Sequence, residues 1–220
     1  MVKTGSVEMK ITLFGATGAV GGECLRQALD AGHDITVLVR SAAKLPADLR
    51  CRICVVEGDA LCADDVWRVI SGDTEAILFA IGVDKRSMPN LCTDISRHIL
   101  DALLDEPAVR FIWCGGGSTF VEDDRITLGG YFVRKFAAVF MSLRHQDKEH
   151  QYALLKQYPS VSWFGVRPLQ MRDGKLSGQY RMGFHAFNGF SAISFADCAH
   201  AMLSMLKGDS WLHKAPIIQY

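Results

Sequence analysis

The chain has 220 residues, 49% of them hydrophobic, enough to fill one large α/β core. Twenty-four Lys and Arg balance twenty-four Asp and Glu, so no overall field draws the protein to nucleic acid or to an anionic membrane, and any anion site must be local. No apolar run approaches the roughly 18 residues of a spanning helix, and the N-terminal stretch lacks an apolar segment ending in a small-residue cleavage site. Seven cysteines, an odd number without the spacing of a disulfide framework, suit a reducing compartment. The expectation is a soluble, cytoplasmic protein.

From Lys10 onward, strand-length apolar runs alternate with helix-length amphipathic stretches, the pattern of a parallel sheet with covering helices. The first predicted strand, KITLF (10–14), leads into FGATGAVGG, where Gly15, Gly18 and Gly21 form a G-x-x-G-x-x-G array. A side chain at Gly15 would obstruct the tight turn, one at Gly18 would hold the backbone away from a pyrophosphate, and one at Gly21 would push helix from sheet. The helix that follows offers free N–H groups and its positive dipole end to phosphates. Residues 23–33 place Leu25, Ala28 and Leu29 at helical spacing and stop at Gly32, a suitable C′ residue.

The second strand is ITVLV (35–39). Dinucleotide folds that prefer NAD carry an acidic residue at this point to bind the adenosine ribose. Here the strand ends in Arg40, followed by Ser41 and Lys44, a cluster suited to a 2′-phosphate. NADP(H) is therefore expected over NAD(H), the alternative being a solvated strand end. ICVV (53–56) is the third strand, and the CxxC of Cys51 and Cys54 reads as two thiols of a packed, buried strand, with no metal site expected. Asp59, in GDA (58–60), either meets the adenine amino group or caps the next helix. AILFA (76–80) is the fourth strand, and Ala80, Ile81 and Gly82 end it beside the dinucleotide. VRFIWC (109–114) and VSWFGV (161–166) are the fifth and sixth, with a helix in two pieces over 128–158 and a last helix from Asp197 to Lys207. Residues 169–192 are polar and Gly-rich and receive no element. The predicted fold is one Rossmann-like domain over 1–220, a doubly wound, mostly parallel sheet with helices on both faces and a small substrate-cleft segment at about 169–194.

Together GATGAVGG, TVLVR, VEGDA, FGVRP and ISFADCAHAML resemble the atypical short-chain dehydrogenase/reductase group that contains the NmrA-like proteins, most of all its flavin reductase (biliverdin-IXβ reductase) branch. The likeness spans nearly the whole chain, including GVDKRSMPNLCTDISRHILDALL, the terminal IIQY and the narrower pattern P-L-x-x-x-x-G-K-L-S-G-Q-Y over 168–180. It implies a dinucleotide-binding domain with a shallow substrate cleft. The cofactor contacts it implies are Gly15, Thr17, Gly18, Val20, Arg40, Asp59, Gly82 and Pro168, and Ala19, Ala60, Cys114 and Gly115 are expected beside them at the cofactor site. Many relatives carry a Ser after the fifth strand; this chain has Gly116 there and its first hydroxyl at Ser118.

Two catalytic constellations compete. Tyr131 and Lys135 spell YxxxK, with Ser118 thirteen residues before the tyrosine; a nearby ammonium favours phenolate, and a helix puts positions four apart on one face. Lys148 instead sits at the spacing used by NmrA-like members, with Arg144 in place of a tyrosine one turn earlier. His145 and His150 would lie near the cleft in that alignment, as proton donors or as surface residues. The expected function is NADPH-dependent reduction of a planar small molecule such as a flavin, quinone or tetrapyrrole by a monomer or weak homodimer. The alternative is a non-catalytic NmrA-like sensor of NADP(H).

Overall fold

Six apolar runs become six neighbouring strands of the main sheet in the computed structural model, which describes residues 8–70, 72–84, 86–125, 127–140, 142–185 and 192–220, the side chains of 133 and 142 excepted. In chain order the elements are β1 (Lys10–Phe14), α1 (Ala19–Asp30), β2 (Asp34–Val39), a 3-10 turn (Ala42–Lys44), α2 (Ala47–Arg50), β3 (Cys54–Glu57), α3 (Ala63–Ile70), β4 (Ala76–Phe79), α4 (Leu91–Ala102), β5 (Arg110–Cys114), α5 (Leu128–Phe140), α6 (Ser142–Leu155), β6 (Ser162–Pro168), β7 (Gln170–Arg172), β8 (Arg181–Gly183), β9 (Ala192–Ser194), α7 (Phe195–Ser204) and β10 (Ile217–Gln219).

The main sheet runs β3-β2-β1-β4-β5-β6-β10-β8, parallel except where β8 meets β10, and β7 pairs with β9 in a separate parallel ribbon. Strand order reverses between β1 and β4, with Phe14 in register with Leu38 on one side and Phe79 on the other. Such a reversal opens a crevice at the carboxyl ends of the strands. Successive side chains point to opposite faces, and both faces are covered. Leu13, Leu78 and Ile112 pack with Leu25 of α1 and Met202 of α7, while Phe14, Phe79, Phe111 and Trp113 pack with Val66, Ile99 and Leu155 of α3, α4 and α6. Burial on two faces is why these strands read as unbroken apolar runs, each large side chain contributing on the order of 1.5–3 kcal/mol.

The expected helix over 128–158 is present as α5 and α6. Helix α1 starts at Ala19, four residues before its expected start, because the helix absorbs Gly21 and Gly22. Gly32, at φ +85°, donates to Leu29 O and stops it. Helix α7 begins at Phe195, capped by Ser194, whose hydroxyl oxygen accepts the Asp197 N–H at 2.9 Å. It ends at Ser204 rather than Lys207. The unassigned stretch supplies β7 and β8, and 186–191 lie outside the described residues.

One expectation is corrected. Strand β3 is not buried: among the described residues no strand lies beyond it, its end residues Cys54 and Glu57 are exposed with Val55 and Val56 half-buried between them, and both Cys51 and Cys54 are exposed free thiols. Among the described residues no group of three or more His, Cys, Asp or Glu side chains is placed to hold a metal.

Candidate active site

Where β1 ends, Gly15 adopts φ +91°, and a Cβ there would stand 2.7–2.8 Å from backbone atoms of Ala80 and Ile81, so the ends of β1 and β4 meet closely at this glycine. Gly18 caps α1 with no side-chain hydrogen bond and donates its own N–H to Gly15 O at 2.9 Å. A Cβ on Gly18 would stand 3.3 Å from Gly15 O, and one on Gly21 only 2.0 Å from it. The glycine spacing thus seats the first turn of α1 against β1 with its N–H groups uncapped by any side chain, a cradle for a phosphate anion.

Beside this turn lies a cavity of about 270 Å³ lined by Gly15, Thr17, Gly18, Arg40, Asp59, Ala60, Ala80, Ile81 and Gly82, among others. Arg40 is exposed at the end of β2. Ser41, half-buried, and Lys44, exposed at the end of the 3-10 turn, stand outside the lining. Asp59 caps the turn before α3, its Oδ1 accepting the Leu61 N–H at 3.0 Å, and lines the cavity as well. The carboxylate thus holds the turn ahead of α3, which begins at Ala63, rather than capping the helix itself.

A second cavity, about 420 Å³, shares Gly18, Ala80, Ile81 and Gly82 with the first, so the two form one trough across the carboxyl ends of the strands. Ala19, Val20, Cys114, Gly115, Ser118, His145, Lys148 and Pro168 line it, with Phe136, Met171 and Phe195 giving it an apolar character. Gly21 stands behind the lining, against Gly15. The Cys114 thiol is held below its ordinary pKa, chiefly by its hydrogen bond with the Cys198 thiol at 3.9 Å, against burial, with further help from the charge of Lys148.

Lys148 is buried. Its Nζ donates to Cys114 O and to Gln151 Oε1, both at 3.0 Å, and lies 5.6 Å from the centre of the Phe79 ring. Gln151 in turn donates to Ser96 Oγ at 2.7 Å. The neighbouring Asp147, also buried, accepts the N–H groups of Cys92 and Thr93 in the first turn of α4 at 2.8 and 2.9 Å. That carboxylate sits on the positive end of α4 and fixes α6 in rotation, and Lys148 is aimed into the trough as a result. The sequence reading missed Asp147 and Gln151. Both lie in the polar run RHQDKEHQ (144–151), where the sequence carries no sign that these two side chains are buried.

Ser118 and His145 meet, Oγ to Nδ1 at 3.2 Å, and His145 Nε2 is 3.9 Å from Glu149 Oε1, which accepts the Phe120 N–H at 2.7 Å. Tyr131 is 51% exposed and outside the lining. Lys135 Nζ lies 5.6 Å from the Tyr131 ring centre, so these two stay together while Ser118 pairs elsewhere. Helix α5 presents Phe136 and Ala137 to the trough instead. His150 faces away, its Nδ1 2.8 Å from Asn90 Oδ1. At Gly116 there is room for a side chain, a Cβ meeting Lys148 Cγ and Thr119 Oγ1 at 3.6 Å.

A model of the family described as NAD(P)H-binding matches residues 15–209. YwnB, an uncharacterized protein of Bacillus subtilis (strain 168), is 29% identical over 209 residues, covering 90% of this chain and 92% of its own length. Among solved structures, ChuY, an anaerobilin reductase from Escherichia coli O157:H7, superposes with a TM-score of 0.78 at 17% identity over 96% of each chain. A wide-type short-chain dehydrogenase/reductase from Veillonella parvula DSM 2008, in complex with NADP, gives 0.76 at 15% identity over 96% of this chain and 94% of that one. At these identities the two structures share the fold.

Proposed function

Because the chain belongs to the NAD(P)H-binding family, we propose that it is an NADPH-dependent reductase of the atypical short-chain dehydrogenase/reductase type, acting on a small planar acceptor such as a flavin, quinone or tetrapyrrole. The observation that carries this reading is the trough: a phosphate cradle and an apolar cavity share the residues Gly18, Ala80, Ile81 and Gly82, so a ligand in one abuts a ligand in the other. The residues suit a dinucleotide. The first turn of α1 would hold the diphosphate, Arg40 with Ser41 and Lys44 the 2′-phosphate, Asp59 the adenine, and Cys114, Gly115 and Pro168 the nicotinamide end. When bound, the dinucleotide supplies a hydride from its nicotinamide ring.

The chain's own part is orientation, charge and protons. Lys148 ties β5 to α6 and places one positive charge on the cavity wall. Ser118 and His145 form a hydroxyl–imidazole pair that can pass a proton to an acceptor seated beside them, with Glu149 behind the imidazole. Phe136, Met171 and Phe195 line the same cavity, and an acceptor seated against them would displace water from that exchange. The position of Tyr131 outside the cavity supports a reduction without a tyrosine acid. No helix among the described residues is long and apolar enough to cross a membrane, and with seven free cysteines the proposed compartment is the cytoplasm.

A sensor of NADP(H) is the second reading, favoured by Gly116 where relatives carry a hydroxyl. Oxidation of NADPH, followed by its near-ultraviolet absorbance with flavins, quinones and biliverdin offered in turn, separates the two. Turnover with at least one acceptor is expected; tight cofactor binding with no turnover on any would establish the sensor.

A further inference from the structure

The larger cavity is apolar, yet its charge is one-sided. Among the described residues that line it there is no carboxylate, while Arg144 and Lys148 both contribute cations. Lys148 is committed to Cys114 O and Gln151. Arg144 is different. It stands exposed in the first turn of α6, at the rim, and its guanidinium makes no hydrogen bond or ion pair with any described residue. The acid one turn on along the same face, Asp147, is buried and committed to the N–H groups of Cys92 and Thr93, and Glu149, further round the helix, is turned to His145 and the Phe120 N–H. Phe136 and Met171 line the same cavity while remaining 57% and 40% exposed. An apolar slot whose mouth carries a guanidinium with no partner among the described residues fits a flat ring system bearing an anionic arm: the ring packs on Phe136 and Met171, and the guanidinium takes the carboxylate or phosphate in a forked, charge-assisted pair.

We propose that Arg144 is a specificity-determining residue that selects planar acceptors carrying a carboxylate or phosphate arm over neutral ones of the same ring system. The inference rests on the reductase reading above for the identity of the cavity's occupant. It names which members of that broad class are preferred: those with a flavin phosphate or a bile-pigment propionate, rather than a neutral quinone.

The test uses acceptor pairs that differ only in the anion: FMN against riboflavin, and biliverdin against its dimethyl ester, each with saturating NADPH. In at least one pair the anionic member should have a KM lower by about 10-fold, the size of one charge-assisted contact at a solvent-exposed rim. The preference should shrink as ionic strength rises. Arg144→Gln should bring that KM to the neutral member's value and leave the KM values of the neutral acceptor and of NADPH unchanged, and Arg144→Lys should restore part of it. Equal KM values within both pairs, or a preference that survives Arg144→Gln, would overturn the proposal. Which pair responds identifies the arm as phosphate or carboxylate.

Equilibrium binding, read by flavin fluorescence quenching and pigment absorbance with saturating NADP⁺ filling the phosphate cradle, separates this proposal from the reductase reading. An Arg144-dependent preference in binding with no turnover sustains the role of Arg144 and removes the reductase. Absence of any anion preference in binding removes the role of Arg144, whether or not hydride is transferred.

Discussion

The ammonium of Lys148 lies 3.0 Å from the carbonyl oxygen of Cys114, joining α6 to the last residue of β5 at the wall of the larger cavity. Replacing the lysine by methionine keeps the buried stem and removes the donor from both Cys114 O and Gln151 Oε1. An unsatisfied buried acceptor costs about 1–3 kcal/mol. Lys148→Met should therefore lower stability by that amount in denaturant titration and reduce hydride transfer together with it. A wild-type unfolding midpoint would show that the contact carries no net stability.

Gly18 and Gly21 should fail in different ways. A Cβ on Gly21 would sit 2.0 Å from Gly15 O, so Gly21→Ala has to prise α1 from β1, and a loss of at least about 2 kcal/mol in thermal or chemical unfolding is expected. At Gly18 the corresponding distance is 3.3 Å. Gly18→Val should stay folded by circular dichroism while losing dinucleotide binding in calorimetry, because its branched side chain occupies the phosphate approach. Retained micromolar affinity would contradict the cradle.

That contrast indicates what the sequence could and could not disclose. The glycine loop was legible because Gly15 and Gly21 answer to backbone collisions within a few residues or at a neighbouring strand end, and Gly18 keeps the regular spacing between them. Strands β1, β2, β4, β5 and β6 were legible because burial on both faces leaves unbroken apolar runs. Exposure of Cys54 was not, since it depends on β3 being an edge, a property of strand order rather than of the segment. Nor was the choice between Tyr131 and Lys148. Which of them faces the trough is set by Asp147 docking on the N-terminus of α4 at Cys92 and Thr93, a contact across 54–55 sequence positions. Strands β7 to β10 have three residues each, too few to show a period of two.

Cofactor choice is expected to hinge on Arg40. Arg40→Ala should weaken NADPH binding about 10-fold, a figure reduced for solvent screening at an exposed strand end, and leave NADH binding unchanged. The effect should fall with added salt. Lys44 compensates in part, so the Arg40→Ala, Lys44→Ala double variant is the stricter measurement by calorimetry. An unaltered NADPH to NADH affinity ratio in both variants would withdraw the 2′-phosphate assignment.

The two candidate proton sources make opposite demands. Tyr131→Phe, altering a half-exposed ring outside the trough, should reduce turnover by less than about 10-fold. Loss of the pair at the cavity wall, in His145→Asn or Ser118→Ala, should approach the roughly 10²-fold expected for a positioned acid. Single-turnover kinetics with saturating NADPH decide the matter, and the reverse ranking would restore the tyrosine.

Acid stability should report on Asp197. Burial alone would raise its pKa, but hydrogen bonds from the Tyr220 hydroxyl, the Gly178 N–H and the Ser177 hydroxyl and N–H bring it down to about 2. Because the folded carboxyl titrates below its unfolded value near 3.9, the stabilisation, roughly 2–3 kcal/mol, is complete above about pH 4 and is lost as pH falls from 4 to 2. In Asp197→Asn, unfolding free energy should be lower at neutral pH and flatter across that window; an unchanged slope would mean that other carboxylates govern acid unfolding.

Strand β10 lies between two strands made long before it, pairing Ile217 with Arg167 of β6 on one side and with Gly183 of β8 on the other. Every strand from β2 to β6 finds a main-sheet neighbour already synthesised, but β8 meets the sheet only through β10. The buried guanidinium of Arg167 likewise waits for the Ala215 carbonyl. On the ribosome, then, strands β1 to β6 can zip up vectorially, whereas the β10–β8 edge can pair only after residues 217–219 have left the exit tunnel. Its closure is the long-range, late step in this domain's assembly.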